Sequence, residues 1–182
     1  MDWKDQCGGV LSRYANVNPA TMPSTVFEDF SSVVEAAPVP AIARGLETAF
    51  RASETPPLPQ MVAELFSRSD ASQRAGILNL LVDDLTPSAV RTVLGQERLG
   101  SLAELLGRDR YLSAAEAEHI SAEIARELVA AAARRDYGIV EKITGFYADY
   151  PRLLRALDPT AQGVFLSGLA QLAEDMGMDE DI

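Results

Sequence analysis

Helix-capping signatures recur along this chain and constrain its fold class more than any other feature. Thr25 with Glu28, Asp70 with Gln73 and Ser113 with Glu116 each set a cap residue three positions before Glu or Gln. In such a box the cap side chain takes the amide of the third helical residue, and the Glu or Gln reaches back to the amide of the cap. Proline follows a cap residue at Thr86-Pro87 and Asp158-Pro159, a position where its missing N–H is no loss. Apolar residues then recur at helical spacing. Val26, Phe27, Phe30, Val33 and Val34 follow Thr25; Ile42, Leu46, Ala49 and Phe50 follow Pro38 and Pro40; Met61, Val62, Leu65 and Phe66 follow the Pro56-Pro57-Pro59 connector. Ile139, Val140, Ile143, Phe146, Tyr147 and Tyr150 form the cleanest stripe. No segment alternates with period two, and no Asn-Gly or Asp-Gly hairpin signal occurs.

The prediction is an all-α fold, an irregular or orthogonal bundle of about eight to ten short helices with an extended N-terminal arm. Residues 1–23 contain Gly8-Gly9, Asn16, Asn18, Pro19 and Pro23 and read as an irregular arm. Residues 24–176 read as one helical domain, and 177–182 as an acidic tail. Within the domain, Ile77, Leu78, Leu80, Leu81, Val82 and Leu85 wrap most of a helix, which marks it as the centre of the core. Short helices are expected up to Leu94 and between Gly100 and Gly107. Helical register runs from Ala117 through Leu128 to Arg135, with a break open between His119 and Ser121 because Ser121 can cap a second start. The last helix carries Phe165, Leu169, Leu172 and Met176 at heptad-like spacing, a face suited to self-association.

Composition narrows function mainly by exclusion. The formal charge is −11, and Glu174, Asp175, Asp179, Glu180 and Asp181 lie near the end with no base among them. An acidic chain repels phosphate backbones, so nucleic acid is not an expected partner. One cysteine, Cys7, allows no internal disulfide and points to a reducing, cytoplasmic setting. No apolar run approaches the roughly 20 residues of a transmembrane helix, and no signal-peptide pattern opens the sequence.

Two pairs of stretches carry a family likeness. Pro59-Gln-Met-Val-Ala-Glu-Leu-Phe-Ser is followed by Gln73-Arg-Ala-Gly-Ile-Leu-Asn-Leu-Leu81. Leu112-Ser-Ala-Ala-Glu-Ala-Glu-His-Ile-Ser is followed by Ile139-Val-Glu-Lys-Ile-Thr-Gly-Phe-Tyr147. Over residues 25 to 170 the chain resembles, in general style, small bacterial all-helical proteins of the YidB-like group. The resemblance implies a bacterial helical domain and no catalytic activity.

Catalytic signatures are absent from the sequence. A nucleophilic triad needs the single histidine, His119, and no Gly-x-Ser-x-Gly elbow, Walker loop or Gly-x-Gly-x-x-Gly accompanies it. The sharpest chemical candidate is a metal site. Glu116 and His119 have the Glu-x-x-His spacing of carboxylate-bridged di-iron helices, and Glu123 follows one turn on. On an unbroken helix the three share a face, and the bland alternative is a solvated surface with an ordinary histidine. Asp83 and Asp84 point about 100° apart and read as the exposed end of their helix rather than a ligand pair. The Phe146, Tyr147 and Tyr150 stripe has two readings, the lining of a ligand pocket and, more cheaply, core packing with hydroxyls reaching the surface. Trp3 and Tyr14 are the interaction candidates of the arm, docking either on their own domain or on a partner. The resulting expectation is a non-enzymatic interaction or scaffold protein that self-associates as a homo-oligomer and needs no cofactor. The alternative is a metal- or small-molecule-binding helical protein.

Overall fold

The computed structural model describes residues 2–18, 20–86, 88–90, 92 and 111–178. Among them every regular element is helical and none is a strand, in keeping with the capping signals. In chain order these are α1 (Trp3–Leu11), α2 (Val26–Ala36), α3 (Val39–Arg51), α4 (Leu58–Arg68), α5 (Ala71–Asp84), α6 (Ala114–Ala117), α7 (Ala122–Arg135) and α8 (Ile139–Ala148). A 3-10 helix (Pro151–Ala156) and α9 (Pro159–Met178) complete them. The expected helix between Gly100 and Gly107, and the end of the one reaching Leu94, lie outside the described residues. No described helix is long and apolar enough to cross a membrane.

The chain divides into two compact units. Met1–Pro56 with Thr144–Ile182 form one, and Pro57–Ile143 the other. In the first unit α9 lies along α3 and also meets α1 and α2, while α2 carries the 3-10 helix. Phe165 and Leu169 of α9 are fully buried in this packing, and Phe30 meets Phe165 edge to face at 5.0 Å. Phe165 and Leu169 of the heptad-like face therefore build the unit's own core, Leu172 is half-buried, and the Met176 side chain lies outside the described residues. Two glycines set the closeness of α3 and α9. A Cβ at Gly45 would stand 3.0 Å from the Phe165 ring, and one at Gly168 would stand 2.6 Å from Thr48 Oγ1.

The expected irregular arm is a correction. Residues Trp3–Leu11 are helical, and Cys7, Leu11 and Tyr14 are buried. Their spacing of i, i+4 and i+7 gives one apolar face. Burying that face, at roughly 1.5–3 kcal/mol per large side chain, offsets the cost of about 1 kcal/mol for each helical glycine at Gly8 and Gly9. Thr25 also departs from expectation. It makes no side-chain cap, and its hydroxyl donates instead to Asp29 Oδ2 at 3.2 Å.

In the second unit α4 packs on α7, and α5 packs on α6 and α7. Both capping boxes expected here form. Gln73 N donates to Asp70 Oδ1 at 2.8 Å and Asp70 N to Gln73 Oε1 at 2.9 Å. Glu116 N donates to Ser113 Oγ at 3.2 Å and Ser113 N to Glu116 Oε1 at 3.1 Å. Asn79 on α5 clasps Leu112, donating to its carbonyl at 3.1 Å and accepting from its amide at 2.8 Å.

Candidate functional site

The Glu116, His119 and Glu123 trio is not carried on one helix face. α6 ends at Ala117, and α7 starts afresh behind Ser121, whose hydroxyl accepts from Ile124 N at 3.3 Å. The Ser121 cap thus forms, and with it the break. Glu116 spends its carboxylate on the Ser113 amide. Glu123 pairs with Arg126, whose guanidinium holds it below the usual carboxylate range. His119 is exposed in the turn between the helices. Among the described residues no three His, Cys, Asp or Glu side chains are grouped to hold a metal ion.

Of the two arm aromatics, Tyr14 docks on its own unit. It is 0% exposed, and its hydroxyl donates to Asp29 Oδ2 at 2.6 Å. Asp29, itself buried, also receives Thr25 Oγ1 and, at 3.4 Å, Arg13 Nη2. The cluster ties the turn after α1 to α2. Burial, followed by the bond to Asp29, pushes the Tyr14 phenol up to about 12. Burial likewise raises the Cys7 thiol and the Tyr147 phenol. All three are thereby held in their protonated, poorly nucleophilic forms. Trp3 is half-buried on α1.

Two expectations about polar tips are overturned. The Tyr147 hydroxyl does not reach the surface; it is buried without a hydrogen-bond partner among the described residues. Asp84 does not mark an exposed helix end; its side chain is only 6% exposed. Asp84 Oδ1 accepts from Lys142 Nζ at 2.7 Å, and the same ammonium reaches Asp136 Oδ2 at 3.4 Å. The carboxylates of Asp84 and Asp136 therefore flank one cation. The bond to Asp84 is the main reason Lys142 binds its proton more tightly than usual. Asp136 is held below the ordinary carboxylate range, first by the Gly138 amide and also by the Lys142 ammonium.

This cluster fixes the α7–α8 turn. Asp136 Oδ1 accepts from Gly138 N at 2.8 Å, the Asx-turn bond that an aspartate makes two residues ahead. Ile139 N closes on Asp136 O at 3.3 Å. Between them Tyr137 stands 91% exposed. The sequence carried one usable sign of this arrangement, the Asp-x-Gly spacing of Asp136 and Gly138. The partnership of Asp84 with Lys142 spans 58 positions and has no local signal.

The fold and these sites define an all-α protein in which polar clusters clasp helix ends and hold a tyrosine out in solvent. No family model, curated protein or solved structure matches the chain.

Proposed function

We propose that this chain is a non-enzymatic protein–protein interaction protein, a scaffold of the cytoplasm that self-associates. Tyr137 carries the reading. A large aromatic, 91% exposed, sits on a turn braced by the Asp136 side chain. Tyrosine supplies broad contact area with few rotamers to freeze, and a braced turn lowers the ordering cost further. Aromatics presented in this way are enriched among the residues that dominate binding energy. Tyr111, 70% exposed in the same unit, adds a second exposed aromatic. The neutral, buried state of Tyr14, Tyr147 and Cys7 is in keeping with a role that requires no nucleophile.

Sedimentation equilibrium across a wide concentration range tests this. The expected result is a mass that rises above the monomer with concentration. Tyr137→Ala should weaken that association at least about tenfold, the equivalent of roughly 1.4 kcal/mol. A monomer mass at every concentration overturns the proposal.

A further inference from the structure

The 3-10 helix carries Arg152 and Arg155. In this helix type residues i and i+3 eclipse and stand about 6 Å apart along the axis, so the two arginines share one face. They line a groove with Val34, Glu35 and Pro151, where the 3-10 helix packs on α2, and the groove holds a cavity of about 290 Å³. All five residues belong to the first unit. Arg155 Nη2 donates to Glu35 Oε1 at 2.9 Å, and the Glu35 side chain is 72% exposed. Water and salt screen an exposed pair of this kind, so it holds its members loosely. Arg152 makes no ion pair or hydrogen bond among the described residues. Two guanidiniums against one carboxylate leave the groove net positive on a chain of formal charge −11.

The chemistry of the groove selects its ligand. Glu35 occupies one guanidinium and leaves the donors of the other free. A ligand that engages both needs more charge than one carboxylate and acceptors in more than one direction. A phosphate monoester has both, with about −1.5 to −2 charges near neutral pH and three strong acceptor oxygens. Guanidiniums match phosphate oxygens through paired N–H bonds. The cavity is at the small end of ligand pockets, room for a phosphoryl group and a short organic part. Val34 and Pro151 give that organic part an apolar wall. A phosphate polymer brings many charges against an acidic chain, whereas a single phosphoryl group brings its charge only to the two arginines.

We infer that the Arg152 and Arg155 groove binds a small phosphate monoester, with both guanidiniums on the phosphoryl oxygens and Glu35 as the resident competitor that the ligand displaces from Arg155. The site is independent of the self-association reading.

Isothermal titration of the full chain with phenyl phosphate at low salt tests the assignment, with folding of each variant checked by circular dichroism. Saturable binding with a Kd of about 1 mM or tighter is expected. Inorganic phosphate should bind more weakly, because it leaves the apolar wall unused. Arg152→Gln, which spares the Arg155–Glu35 bond, should weaken phenyl phosphate at least about tenfold. Glu35→Gln should act in the opposite direction and tighten it about threefold or more, because it frees Arg155 and removes a like charge. A site in which Glu35 merely holds the helix in place predicts no such gain. The inference is overturned if phenyl phosphate shows no saturable binding, if acetate binds as tightly, if Arg152→Gln leaves the Kd unchanged, or if Glu35→Gln weakens binding.

Discussion

Replacing Tyr14 with Phe removes one oxygen and leaves the buried ring in place. The lost group is the hydroxyl that donates to Asp29 Oδ2 at 2.6 Å, leaving Asp29 with Thr25 and the longer contact to Arg13. A buried hydrogen bond to a charged acceptor contributes about 1.5–3 kcal/mol, and that is the expected loss at neutral pH. The pH dependence is sharper. The phenol moves from its ordinary 10.0 to about 12 on folding. Its folded value is the higher one, so its stabilisation is complete below pH 10 and is lost as the pH climbs towards 12. The amount tied to that titration is roughly 3 kcal/mol. Phenylalanine does not titrate. The stability gap between wild type and Tyr14→Phe should therefore be largest at neutral pH and shrink towards zero in the alkaline range. Urea unfolding of both proteins side by side, followed by circular dichroism at stepped pH, measures the gap, and shared titrations such as that of Lys142 cancel in the difference. A gap that is absent at neutral pH, or constant up to the alkaline limit, refutes the assignment of this bond as the clasp between α1 and α2.

Two further substitutions test the packing and the capping. Gly168→Ala lies inside α9, where alanine ordinarily gains about 1 kcal/mol; here its Cβ would meet Thr48 Oγ1, which is held by its bond to Arg44 O at 2.9 Å. The expected outcome is a loss of about 1–3 kcal/mol from overpacking, and a raised urea midpoint would contradict the tight α3–α9 approach. Glu116→Ala should cost about 1 kcal/mol through the Ser113 capping box, whereas His119→Ala should stay within about 0.5 kcal/mol. A metal content that falls in His119→Ala, read by elemental analysis beside the unfolding curve, would reverse that ordering of roles.

The helical class of this protein was written in local chemistry. Asp70 with Gln73, Ser113 with Glu116, and Asp158 ahead of Pro159 act on amides at most three residues away, and all three caps form. Ser121 likewise announced the break that separates Glu116 and His119 from Glu123. The same local logic misread Thr25, whose hydroxyl donates to the buried Asp29 and accepts no amide of its own helix start. It also misread the first 23 residues, because two glycines and scattered polar residues masked the Cys7, Leu11 and Tyr14 face, which is stable only where α2 and α9 cover α1. Burial reversed the roles of Asp84 and Tyr147, and core packing claimed Phe165 and Leu169 of the heptad-like face of α9. The Asp84–Lys142 pair and the Glu35–Arg155 pair join residues 58 and 120 positions apart. Periodicity and capping report what a segment does with its own backbone. Which face is covered, and which charge meets which, depends on segments brought together only by the collapse of the core, so the clusters and the groove became visible only in the tertiary structure.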